Sequence, residues 1–142
     1  MRISFKTWTD PNIGLIPLIV SATLIAGLAQ AAIPRQVIAD FLGEEAGLKG
    51  IALGTFLGSV IPGSPYVIFP LLGGLYKAGA GVGTIIAFIS AWSLISLSRI
   101  PTELPFLGAK MVAVRIVVSL VFPVVLGTVG QIVFSQVSKI WG

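Results

Sequence analysis

The chain contains no cysteine and no histidine, and only five of its 142 residues are acidic. The first two absences exclude disulfide staples, thiol redox chemistry, Cys/His zinc sites and imidazole catalysis. With so few carboxylates, no acid–base or nucleophile pair can be assembled. An enzyme is therefore the least supported class, and neither a metal nor an organic cofactor is expected. Charge is scarce altogether, at 10% of residues against about 25% in soluble domains. The nine Lys and Arg are scattered along the chain, so there is no nucleic-acid footprint, which needs basic residues gathered on one face. What remains is apolar: 56% hydrophobic residues and a mean hydropathy of +1.04. These values predict an all-α polytopic membrane protein, a single membrane domain over 1–142, in a cell (inner) membrane.

Residues 13–33 are free of charge, with Ser21, Thr23 and Gln30 as the polar side chains. About 20 apolar residues cover a hydrocarbon core of roughly 30 Å, and Asp10-Pro11-Asn12 supplies capping and turn residues before them. Arg2 and Lys6 precede the run and Ala29-Gln30-Ala31 looks like a cleavage site. The run is nevertheless longer than the roughly 7–15 residues of a signal h-region, so a span is expected. Residues 34–50 alternate differently: Val37, Ile38, Phe41 and Leu42 recur at helical spacing between Arg35, Asp40, Glu44 and Glu45. A short interfacial helix starting at Pro34 and ending at Gly43 is one reading; a solvated loop is the other.

Residues 51–76 are apolar but interrupted by Pro62-Gly63-Ser64-Pro65. Proline has no amide to donate and disfavours helical geometry in the residue before it. Broken helices at membrane depth persist only where the freed backbone is buried in protein or lines a wet cavity. Ser64 and Pro65 suit the N-cap and first turn of a second half-helix. A third span is expected over 82–98, ended by Pro101 and Pro105, and a last one over 106–134, interrupted by Lys110, Arg115 and Pro123. Lys139 and Trp141 then form an interfacial anchor.

Small residues fall four apart in two rows, Gly50-Gly54-Gly58 and Gly79-Gly83-Ala87-Ala91, the spacing that lets helices approach closely in lipid. The number of crossings is three or four, depending on whether 51–76 crosses or re-enters. In neither arrangement do Lys and Arg favour one side, although that bias normally sets orientation. Either one or two residues or a partner protein decides orientation, or the chain inserts both ways and pairs with an inverted copy.

The stretch from Leu53-Gly54-Thr55-Phe56-Leu57-Gly58-Ser59-Val60-Ile61-Pro62 through Pro70-Leu71-Leu72-Gly73-Gly74-Leu75 to Lys77-Ala78-Gly79, Gly83-Thr84 and Ala87-Phe88 resembles the arsenical-permease, or YraQ-like, family of predicted permeases. The resemblance covers about residues 43–97. Full-length relatives look like two such halves fused, so it implies a permease half that pairs with a second, inverted copy in a homodimer. Where many relatives carry cysteine after the aligned proline, this chain has Gly63-Ser64-Pro65. Thiolate handling of soft metalloids, which needs sulfur ligands, is therefore not carried over.

Inverted-repeat transporters place half-helix N-termini and unwound carbonyls around the solute. The candidate solute-binding residues are accordingly Pro62, Gly63, Ser64, Pro65 and Tyr66 with the nearby Ser59, joined by Arg99 and Glu103. The last two could pair with each other, and Glu103 could bind a cation or relay a proton. Arg115 could attract an anion; the favoured expectation is that it snorkels to the nearby interface. Gln131 and Trp92 read as packing or anchoring residues. A helix N-terminus, net positive charge and absent thiols favour an anion or small polar solute over a soft metal. The alternative is a non-transporting scaffold or an accessory subunit of a larger membrane complex.

Overall fold

In the computed structural model, which describes residues 11–142, all regular structure is helical. Helix α1 spans Pro11–Ala32; Arg2, Lys6 and Asp10 lie outside the described residues. Helix α2, Arg35–Leu42, is bracketed by Pro34 and Gly43, so this segment is a helix and not a loop. Its Ile38 and Leu42, one turn apart, pack inward on Leu75, Ala78, Ala80 and Ile85, while Val37 and Phe41 stay exposed. A short 3-10 turn at Glu44–Ala46 leads into α3.

The interrupted segment forms two helices, α3 (Leu48–Val60) and α4 (Pro65–Lys77), of 13 residues each. Each is about 20 Å long, two-thirds of a hydrocarbon core of roughly 30 Å. Helix α5, Val82–Leu94, has the same length. Their relative directions follow from the small-residue contacts. Along α3, Gly50 and Gly54 face Thr84 and Gly58 faces Phe88, so α3 runs parallel to α5. In the cluster of Ile68, Leu72, Phe88 and Trp92, with Leu75 and Ile85 at its lower end, α4 runs back against α5. Both ends of the pair meet at one level, where the Gly81 amide donates to the Leu42 carbonyl at 2.7 Å. Residues 48–77 therefore form a helical hairpin: its foot lies beside α2 and its tip is Ile61–Ser64.

Helix α6, Ile100–Trp141, is interrupted at Gly108 (φ 76°, ψ 156°) into an arm and a long helix. The long part returns antiparallel to α5, since Gly83 and Ala87 meet Gly127 and Arg115 reaches Leu94. At the foot, Gln131 Nε2 donates to the Glu44 carbonyl at 3.3 Å. Helix α1, joined to α2 at the foot, packs against α4.

Two expected boundaries are corrected. The third helix ends at Leu94, before either proline. What stops it is Ser96, left-handed at φ 33°, a backbone region that side chains other than Gly, Asn and Asp rarely adopt. Pro101 instead opens α6 and Pro105 lies within it, because proline is well suited to a first helical turn. Gly79, counted into the second small row, sits in the turn after α4 at φ 110°, where its lack of a Cβ is needed. The rest of the row holds: Ala87 and Ala91 are 0% exposed.

The apolar surface is turned outward. Of the whole of α6 only Val112, Pro123 and Gly127 are buried, while Val117, Val121, Val125 and Ile132 are exposed. The stretch Val82–Trp141 is long and apolar enough to cross a membrane, with a mean hydropathy of 2.4 over its most apolar window. That stretch is not one rod, because α5 and α6 fold back on each other within it.

Candidate functional site: the hairpin tip and the end of α5

The tip leaves several backbone groups without partners among the described residues. Ile61 is the last residue to join α3, its amide donating to Leu57 at 2.9 Å. Ser64 is the N-cap of α4 with Pro65 in the first turn, as its sequence suggests, but its hydroxyl makes no capping bond. Its carbonyl accepts from the amides of Val67 and Ile68, both at 3.0 Å. Among the described residues, the amides of Gly63 and Ser64 and the carbonyls of Ile61, Pro62 and Gly63 have no partner. Pro62, Gly63, Ser64, Pro65 and Tyr66 are all exposed. An unpaired peptide group costs several kcal/mol in hydrocarbon (roughly 2–7, depending on the reference). Such a tip requires water, a solute or another polypeptide.

Ser59, one turn before the tip, is buried and donates to the Thr55 carbonyl at 2.7 Å; Thr55 in turn donates to Ile51 at 2.9 Å. These hydroxyls sit on the wall of a groove of about 350 Å³. Phe56 and Val60 of α3, Ile95 and Leu97 after α5, and Ile116 and Leu120 of α6 complete most of its lining. The groove brings Ser59 to the end of α5, where Arg99 and Glu103 also converge.

The two charged candidates do not pair with each other. Arg99 Nη1 donates to the Ser93 carbonyl at 3.5 Å. Glu103 Oε2 lies 2.8 Å from Arg115 Nη2, an ion pair whose angles fall outside hydrogen-bonding geometry, with that oxygen shielded from solvent. Arg115 also donates to the carbonyls of Leu94 at 2.8 Å and Ile95 at 3.3 Å. It folds onto the end of a helix whose last carbonyls carry partial negative charge, where a cation is favoured. Arg115 and Gln131 are the residues that sequence reasoning undervalued. The signal for Arg115 was its place inside an otherwise apolar run, since such charges usually face a cavity or a partner.

Trp92 is buried in the core between α4 and α5, a packing residue. Ser96 and Ser98 hydroxyls lie 3.1 Å apart. Among the described residues no cluster of three acidic, His or Cys side chains is placed to hold a metal.

A UPF0718 protein of Methanocaldococcus jannaschii is 24% identical over 132 residues, which cover 90% of this chain and 36% of the relative. The chain thus spans about a third of the length of that curated relative. No solved structure matches the chain. The profile of a family described as predicted permeases matches residues 5–140, nearly the whole sequence. The chain therefore belongs to the predicted permease family, whose members are membrane proteins.

Proposed function

We propose that this chain is a permease half that pairs with a second, inverted copy to move a small solute past the hairpin tip. The observation that carries the reading is the helical hairpin: its tip leaves backbone donors and acceptors unpaired about 20 Å along from its foot. Membership of a predicted permease family supports transport as the role in preference to catalysis. On this reading α1 and the long part of α6 cross a cell (inner) membrane, α5 with its following turn makes the third crossing, and the hairpin dips in and returns. Arg35, Lys49, Lys77 and Lys139 then lie toward the foot, and Arg99, Lys110 and Arg115 toward the other end. Four against three, before the two basic residues preceding α1, gives no consistent preference for one orientation, which suits insertion both ways. A second tip facing the first encloses the unpaired amides and carbonyls between two copies, away from lipid. The α4 N-terminus and the two arginines favour an anion.

The test is a single cysteine at Ser64 in the cysteine-free chain, treated in native membranes with a short bismaleimide. A crosslinked dimer of this chain supports the pairing. A chain that stays monomeric, or crosslinks to a different protein, overturns it in favour of an accessory subunit. Competition of small inorganic anions and cations for the purified protein decides the solute: protection by cations alone sinks the anion preference.

A further inference from the structure

Residues 97–107, between α5 and the long part of α6, form an arm with a left-handed residue at each end. Ser96 has φ 33° and Gly108 has φ 76°. Positions of this kind are where a chain changes direction, and element-terminal residues of this kind absorb hinge motion. The arm has little apolar packing of its own, since Leu104, Phe106 and Leu107 are exposed, Phe106 at 88%. Its root is held by Arg99 at the long distance of 3.5 Å to Ser93. Its middle is held by the Glu103–Arg115 ion pair at 2.8 Å.

Arg115 does not depend on Glu103 for its place. It already donates to Leu94 and Ile95, so loss of the ion pair frees the arm without releasing the end of α5. The root of the arm borders the groove. Leu97 is part of the wall that faces Thr55, Ser59 and Ile116, and the 97–99 turn packs on α3.

We infer that 97–107 is a strap that shuts one end of the groove beside the hairpin tip, with Glu103–Arg115 as its latch. An anion arriving at Arg115 competes with the Glu103 carboxylate for the same guanidinium and opens the strap as it binds. This deepens the transport reading and rests on it for its purpose, but the geometry of the latch stands apart from any flux.

The experiment reads accessibility in the absence of transport. Ser59→Cys is placed in the cysteine-free chain and reacted with a charged, water-soluble methanethiosulfonate reagent in proteoliposomes, with and without Glu103→Gln. The strap predicts that Glu103→Gln raises the modification rate by up to about fivefold, the scale of a partly exposed ion pair worth roughly 1 kcal/mol. An unchanged rate in protein that still elutes as one species overturns the latch. Should Glu103→Gln prevent folding, spin labels on Phe106→Cys and Ile140→Cys report the arm with both charges intact. A second distance population that grows with salt supports the strap, since the pair is partly exposed and screenable. One narrow distance at all salt concentrations overturns it. A chain that moves no solute but shows the labelling change keeps the latch and loses the permease reading.

Discussion

Gly54 lies so close to α5 that a Cβ built on it would sit 2.5 Å from the Thr84 carbonyl oxygen. The obstacle is backbone, so it cannot swing aside as a flexible side chain does. In lipid the hydrophobic effect gives helices no drive to associate, and close packing of this kind supplies it instead. Gly54→Ala is expected to cost about 1–3 kcal/mol through overpacking. Gly73→Ala in α4, where the added methyl meets nothing within 4 Å, gains up to about 1 kcal/mol in helix propensity. Thermal unfolding of the two variants in one detergent, followed by circular dichroism, checks the contrast; equal midpoints would remove the α3–α5 contact as a source of stability.

Much of this packing was readable beforehand, because four-residue spacing is a local property of a helix. The row Gly50-Gly54-Gly58 and the row Gly83-Ala87-Ala91 are both legible, but they do not face each other: the first packs on Thr84 and Phe88, whereas Gly83 and Ala87 pack on Gly127 of α6. The position of the helix break was legible for the same reason, since Pro62 and Pro65 act on their immediate neighbours. The reversal of direction at that break was not. It is set by contacts between distant residues, such as Gly81 with Leu42, to which no local pattern points. The end of α5 was not legible, because Pro101 opens the next helix and does not stop this one, and the turn is made by Ser96. The Glu103–Arg115 pair was hidden by Gly108, which breaks the helical spacing between them.

Ser96 stores strain that a substitution can release. A non-glycine residue in the left-handed region costs roughly 1–2 kcal/mol, partly offset here by the Ser96–Ser98 hydroxyl contact at 3.1 Å. Ser96→Gly is expected to leave stability unchanged or raise it by up to about 1 kcal/mol. Ser96→Val, β-branched at a position that resists it, lowers stability by more than that. The ordering of the three unfolding midpoints is the check, and Val equal to Gly would contradict the left-handed turn.

Ser64 separates a structural from a functional role at the tip. A serine N-cap replaced by alanine normally costs about 1 kcal/mol. Here the hydroxyl makes no capping bond, so Ser64→Ala is expected to stay within about 0.5 kcal/mol of the parent, as exposed substitutions do. Weaker anion protection in this variant at unchanged stability then assigns the hydroxyl to the solute. A loss of stability above about 1 kcal/mol would mean that the hydroxyl caps α4 after all.

The even split of basic residues between the foot and the opposite end makes orientation sensitive to very few charges. Orientation follows Lys and Arg near the ends of spans, and acidic residues count for little. Replacing Glu44 and Glu45 at the foot by lysine therefore adds two counted charges to one side without removing any from the other. Their side chains are exposed, and it is the Glu44 backbone carbonyl that accepts, from Gln131 Nε2 and from the Gly47 amide, so the foot is expected to fold as before. A single cysteine at Lys139, labelled in intact cells by an impermeant maleimide, reads the outcome. In the parent background part of the population is expected to label from each side. In the Glu44→Lys, Glu45→Lys background the foot turns to the cytoplasm and labelling from outside falls at least about fivefold, a shift of roughly 1 kcal/mol in the orientation balance. If the parent already labels from one side alone, the copies share one orientation and the inverted pair fails, whatever the tips do.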